Sequence, residues 1–119
     1  MIRGHGIDLQ AISAIAKAQD KHPRFAQRVL TPAELAVFQQ KPRQAQLTYL
    51  AGRWAAKEAF SKALGTGIGK TVGFQDLEVL SDSKGAPYFS RLPYDGKAFV
   101  SISHSGDFVQ ASVILEEDV

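Results

Sequence analysis

The sequence predicts an α+β fold, and three observations predict it. A stretch rich in Ala, Leu, Gln and Lys, from about Arg43 to Leu64, reads as one long helix stopped by Gly65. Beyond residue 70 the texture changes to short segments rich in Phe, Val, Ile and Leu, separated by turn residues. Strands and helices do not alternate. The order is one strand, three helices, then about four strands, which is not the pattern of a parallel α/β sheet.

The first strand covers Ile2 to Leu9, with glycines and His5 inside it and Asp8 near its end. A helix follows in "AISAIAKAQDK", where Ile12, Ile15 and Ala16 fall at helical spacing and Asp8 or Ser13 can serve as the cap. Pro23 stops it. In "PRFAQRVL", Phe25, Val29 and Leu30 are apolar, while Arg24 and Arg28 are i, i+4 neighbours on another face. Thr31-Pro32-Ala33-Glu34 opens the next helix, with Thr31 as N-cap, Pro32 at the first helical position and Glu34 completing a capping box. Pro42 separates it from the long helix. Strand candidates follow in "FQDLEVLS", "PYFS", "AFVSISHS" and "DFVQASVILE". "SDSKGAP" reads as a turn, and Ser105-Gly106-Asp107 as a hairpin turn.

The 119 residues suit a single domain, residues 1–119, and a hydrophobic share of 45% is enough for a packed core. No apolar run approaches the roughly 18 residues of a membrane helix, and the N-terminus lacks a signal peptide's apolar stretch, so a cytoplasmic location is expected. The absence of cysteine excludes disulfides, thiolate metal ligands and a cysteine nucleophile. Net charge is only +2, but it is unevenly spread. Residues 1–70 hold 11 Lys and Arg against 4 Asp and Glu, a balance of +7; residues 71–119 hold 3 against 8, a balance of −5. The basic part suits an anionic partner, and the plainer alternative is a solvated surface balanced in the fold.

The glycine run "GTGIG" follows a helix instead of opening one. It therefore lacks the context of a phosphate-cradling loop and reads as helix termination with a tight connection to the strands, backbone contact with a ligand being the other reading. The long helix is more informative. At about 100° per residue, Leu47, Leu50, Ala51, Trp54 and Ser61 form a mostly apolar stripe with Glu58 inside it, Arg53 and Lys57 on one flank and Lys62 on the other. A carboxylate on a core-facing stripe needs a partner. An i, i+4 ion pair with Lys62 is one reading, a functional site the other. Asp8 has a similar ambiguity, and on its own the plain reading is a helix N-cap. His104 falls on the apolar side of "SISHS" with Val100 and Ile102, where a satisfied core histidine is the plain reading. His5 and His22 give no histidine pair at metal spacing. What is left is a pair of oxygen donors beside basic residues, the usual way of holding magnesium together with phosphates.

The set "GHGIDL", "RFAQRVLTPAE", "LAGRWAAKEAFSKALGTGIG", "FQDLEVL", "GAPYFS" and "SISHS", in this order along nearly the whole chain, resembles the small trimeric class of 4′-phosphopantetheinyl transferases, the holo-acyl-carrier-protein synthases. The resemblance implies an antiparallel sheet packed with one long and several short helices. It implies Mg²⁺-dependent transfer of 4′-phosphopantetheine from coenzyme A to a serine of apo acyl carrier protein, for fatty acid biosynthesis, with release of adenosine 3′,5′-bisphosphate. Matched by position, Asp8 and Glu58 are the implied Mg²⁺ ligands and Lys62 the lysine beside the pyrophosphate. Arg53 and His104 match positions at the adenosine 3′-phosphate, while Gly65, Lys84 and Pro87 lie where the nucleotide is expected. Ile15, Lys21, Arg24, Phe25 and Arg28 fall in the segment that docks the acidic carrier. Glu58, Asp8 and water remain as candidates for the base. A homotrimer with sites between protomers is implied, with neither nucleic acid nor membrane as partner.

The chain also departs from the family pattern. Ala11 and Ala14 stand where many members carry Glu and Arg, which weakens docking through the first helix. Gln44 and Ala45 replace basic residues near the nucleotide, leaving Lys41 and Arg43 nearby. "FSRLPYDGKAF" is short enough for a plain loop. Two alternatives differ in class or substrate: a binding module for nucleic acid or nucleotide, and a family enzyme serving peptidyl or polyketide carriers. The first would interleave basic residues with exposed aromatics. Phe25 and Phe38 instead occupy apolar-face positions.

Overall fold

Two glycines set how the first strand meets the long helix. A Cβ at Gly4 or Gly6 would collide with the carbonyl oxygens of Ala63 and Ala59, so only glycine lets this strand lie directly on the helix backbone. In a computed structural model describing residues 1–69 and 71–117, the strand is β1 (Ile2–Ala11) and the helix α4 (Arg43–Leu64). Lys70, at the end of the glycine run, and residues 118–119 lie outside it. Between the two elements come α1 (Ile12–Lys21), α2 (Phe25–Val29) and α3 (Pro32–Gln39). After α4 come a 3₁₀ turn at Phe74–Asp76 and strands β2 (Glu78–Ser81), β3 (Pro87–Arg91), β4 (Lys97–Ser105) and β5 (Phe108–Glu116).

The α+β class is as expected, with a short fourth helix, α2, in the segment carrying Arg24 and Arg28. All strands pair antiparallel, in a three-stranded sheet ordered β1-β5-β4 and a two-stranded hairpin of β2 and β3. Alternation sends Gly6, Asp8 and Gln10 of β1 toward α4, with Ala111 opposite Asp8 and Ile102 opposite Ala111. Strands β4 and β5 are joined by a turn at Gly106-Asp107, with Gly106 at φ 57°. Residues 92–96 form a plain loop. Among the described residues no helix is long and apolar enough to cross a membrane.

The capping box of α3 is present: the Thr31 hydroxyl accepts from the Glu34 amide, and Glu34 Oε1 accepts from the Thr31 amide at 2.8 Å. Gly65 ends α4 in the left-handed region at φ 85°. Three expectations are corrected. Asp8 and Ser13 do not cap α1; the cap comes from Asp107, whose carboxylate accepts from the Ser13 amide at 3.0 Å and hydroxyl at 2.6 Å. "FQDLEVLS" is not a continuous strand, because Asp76 takes the Gly73 amide and closes a 3₁₀ turn first. And α4 is not buried along one narrow apolar stripe, since Leu50, Ala51, Ala55, Ala56, Ala59 and Phe60 are buried around most of its circumference.

One consequence of the α3 cap extends to the hairpin. The Thr31 hydroxyl donates to Glu78, whose other carboxylate oxygen accepts from Ser90 at 2.8 Å. These bonds, the Thr31 bond first, hold the Glu78 pKa below its ordinary 4.5. Stability contributed by a lowered carboxyl is complete above its unfolded value and is lost as pH falls through the folded one. Wild type should therefore exceed Glu78→Gln in stability at pH 7, and urea denaturation should show the difference shrinking below about pH 4.5. A difference that does not change with pH would count against the Thr31–Glu78 bond.

Candidate active site

Where β1 crosses the C-terminal half of α4, three charged side chains converge. The close packing allowed by Gly6 brings Asp8 against the helix surface, where it meets Lys62 and Glu58, one turn apart. Asp8 Oδ1 accepts from Lys62 Nζ at 2.9 Å, and Lys62 Nζ also donates to the Ile7 carbonyl at 3.1 Å. Asp8 Oδ2 is buried with no hydrogen-bond partner among the described residues. Its side chain is 12% exposed, against 52% for Lys62. Glu58 is half-buried, and desolvation, then the Asp8 charge, raise its pKa above the ordinary value while Lys62 opposes them.

The positions of Glu58 and Lys62 revise two expectations. Glu58 does not point into the core: Trp54 and Glu58 are half-buried and Lys62 exposed, so this is the open side of the helix end. The residue fully buried there is Lys57, read from sequence as a flank. Lys62 pairs with Asp8 instead of Glu58, so the i, i+4 ion pair is not what holds Glu58. Two carboxylates, one with an orphaned oxygen, are left within electrostatic reach of each other and of a single lysine. That donor set fits a divalent cation completed by water and phosphate oxygens. Among the described residues there is no group of three or more His, Cys, Asp or Glu that would make an all-protein cage.

A second feature lies farther toward the helix start. Arg53, Lys41 and His104 line a surface cavity of about 380 Å³ with Tyr49, and no Asp or Glu lines it. The Arg53 side chain crosses to the hairpin, donating from Nε to the Val79 carbonyl at 3.2 Å and from Nη2 to Ser81 Oγ at 3.1 Å. His104 is exposed and not a satisfied core histidine, because the inward row of β4 runs out beyond Ile102. An acid-free cavity lined by Arg53 and Lys41 suits an anion.

A carboxylate pair suited to a metal, and on the same helix a cavity lined by Arg53 and Lys41, suit a phosphate-bearing ligand, and the family comparison says which class of protein this is. The sequence model described as the 4′-phosphopantetheinyl transferase superfamily matches residues 4–114. The chain belongs to that superfamily. It is 64% identical over 118 residues, 99% of each chain, to the holo-[acyl-carrier-protein] synthase of Streptococcus uberis, and 62% identical to that of Streptococcus thermophilus over 99% of this chain and 98% of the other. Among solved structures, it resembles a holo-(acyl-carrier-protein) synthase from Bacillus anthracis in complex with CoA (3′,5′-ADP), with a TM-score of 0.93, 43% identity and 99% coverage of both chains. The Helicobacter pylori holo-[acyl-carrier-protein] synthase in complex with coenzyme A gives a TM-score of 0.83 at 32% identity, covering 94% of this chain and 99% of the other.

Against this phosphopantetheinyl transferase fold, the other residues singled out from sequence fall into separate places. Gly65 is exposed at the end of α4, Lys84 is exposed in the β2–β3 turn, and Pro87 begins β3; none of the three lines the Arg53 cavity. Lys21, Arg24 and Arg28 are exposed along α1 and α2, with Phe25 half-buried between them. Its ring lies 5.4 Å from Trp54, which stacks on Phe74 at 4.7 Å. Ile15 is a correction to the docking set: at 2% exposure it belongs to the core under α1 and offers no surface. Sequence reasoning missed Tyr49, although its i, i+4 spacing to Arg53 was a usable signal. It also missed the contact between Glu34 and Lys57, which no local spacing could show.

Proposed function

We propose that this chain is a Mg²⁺-dependent enzyme that moves 4′-phosphopantetheine from coenzyme A to a serine of apo acyl carrier protein, as a single cytoplasmic domain serving fatty acid synthesis. The observation carrying this is the orphaned Asp8 oxygen beside Glu58 and Lys62, the one buried side-chain polar atom without a hydrogen-bond partner among the described residues. Asp8 and Glu58 would hold the cation. When bound, Mg²⁺ supplies charge neutralisation at the pyrophosphate.

The chain's own residues supply the rest. Lys62, half exposed beside Asp8, can extend its ammonium to pyrophosphate oxygens that compete for it with the Ile7 carbonyl. Arg53 and Lys41, with His104 at the edge of the same cavity, offer the adenosine 3′-phosphate a cationic seat, with Gly65, Lys84 and Pro87 left to contact the remainder of the nucleotide. In the transfer, the carrier serine oxygen gives its proton to Glu58, Asp8 or water and bonds to the phosphorus bearing pantetheine. The bond from that phosphorus to adenosine 3′,5′-bisphosphate breaks. Lys21, Arg24, Phe25 and Arg28 form a basic surface with one apolar contact, which suits an acidic carrier. Incubation with coenzyme A, Mg²⁺ and apo acyl carrier protein should raise the carrier's mass by one phosphopantetheine group. No gain in mass overturns the reading.

A homotrimer is part of the same proposal. The sheet face away from α4 exposes Ile7 at 45%, Leu9 at 62%, Phe99 at 53% and Phe108 at 51%, more apolar surface than a monomer usually leaves to water. Covering it with copies of the chain would also bring neighbouring hairpins and cavities together. Sedimentation equilibrium should give three times the 12.9 kDa chain mass, and a monomer would remove shared sites from the proposal.

A further inference from the structure

Tyr49 touches neither carboxylate, yet it organises the cationic cavity. Its ring lies one turn before Arg53 on α4, with the Arg53 guanidinium carbon 4.3 Å from the ring centroid and Lys41 Nζ at 5.4 Å from the same centroid. Arg53 is thus fixed at three places, by the ring and by its bonds to Val79 and Ser81. Lys41 follows α3 and would otherwise be a long, freely rotating side chain; no ion pair holds it among the described residues. Burial, the largest influence on the phenol, keeps its pKa above the ordinary value, so the ring meets both cations in its neutral form. The quadrupole of an aromatic face attracts such cations within about 6 Å.

We infer that Tyr49 is a positioning residue for the nucleotide end of the substrate: its ring gathers Arg53 and Lys41 into one preorganised cationic seat. The inference rests on the proposal that coenzyme A is the substrate, and it adds a residue to which no role was assigned. Preorganisation lowers the ordering cost at the moment of binding, so its loss appears in affinity and not in the chemical step. The hydroxyl is not required.

The test is steady-state transfer with coenzyme A varied at saturating carrier protein, together with calorimetric binding of adenosine 3′,5′-bisphosphate. Tyr49→Leu should raise KM for coenzyme A about fivefold to tenfold with kcat within about twofold, and weaken bisphosphate binding by the same factor. Tyr49→Phe should behave as wild type in both. With 3′-dephospho-coenzyme A, wild type and Tyr49→Leu should converge. Tyr49→Met serves as a second aliphatic variant if Tyr49→Leu is poorly folded by its thermal unfolding midpoint. An unchanged KM, a fall in kcat alone, or equal damage from Tyr49→Phe overturns the inference. If wild type transfers nothing, the proposed function has failed, and the bisphosphate titrations still decide the role of Tyr49.

Discussion

Asp8→Ala and Glu58→Ala should each lower the single-turnover transfer rate at saturating Mg²⁺ by about 10²- to 10³-fold. That is the scale of several kcal/mol of transition-state charge stabilisation. The expectation follows from the electrostatics at the β1–α4 crossing. Asp8 carries a buried oxygen with no protein partner among the described residues, and Glu58 is already held above its ordinary pKa by desolvation and by Asp8. Neither group is explained by stability, because the protein alone leaves their charges undercompensated. Removing one should relieve repulsion in the metal-free protein, so the unfolding midpoint without Mg²⁺ should hold steady or rise while activity collapses. A merely structural acid would do the opposite, losing stability and retaining rate. Activity within about tenfold of wild type for either variant would remove that residue from the proposed metal site.

Features fixed by neighbouring residues were readable in the sequence. The α3 cap needs only Thr31, Pro32 and Glu34; the α4 stop needs only Gly65; the hairpin turns need a glycine between strand-forming runs. The tertiary surroundings of α4 were not readable. A stripe centred on Leu47 assumes one buried side, whereas α4 is packed by β1 and β5 and by the other helices, leaving its least covered side at Trp54, Glu58 and Lys62. Glu58 was singled out for a burial it does not have. Asp8, Glu58 and Lys62 are nonetheless grouped at one helix end, because a carboxylate needs a partner whether it is half or fully buried. His104 shows the same limit at a single position, because periodicity gave its face but not how far the core extends along β4, whereas the apolar face of Ile15 was readable and its docking role came from the resemblance alone. The Asp107 cap on α1 is a contact across 94 residues, invisible to any local pattern.

The largest stability effect should come from Lys57, a fully buried lysine whose ammonium donates to Glu34 Oε1 at 2.6 Å, the Val29 carbonyl at 2.7 Å and the Phe74 carbonyl at 3.1 Å. Glu34 Oε2 accepts from the Val79 amide at 2.7 Å. One pair of charges therefore ties α2, α3, α4, the 3₁₀ turn and β2 to a common centre. Burial pushes the Lys57 pKa down, and Glu34 opposes that by favouring the charged form. Lys57→Met removes the cation and leaves the Glu34 carboxylate buried without it, at a cost of about 3–5 kcal/mol. That is a large part of the roughly 5–15 kcal/mol of a typical domain. Glu34→Gln strands the ammonium at a similar cost. The double variant removes both charges, so its loss should fall well short of the sum, and a cycle of urea denaturations should give a coupling above about 1 kcal/mol. Losses that add to within about 0.5 kcal/mol would mean that the pair is not the centre of the network. The Lys57 head leaves α4 about 100° around from Glu58. Where Lys57→Met is still folded, its transfer rate should stay within about threefold of wild type. A larger loss from the folded variant would show that the buried pair reaches the chemistry through the helix that carries Glu58.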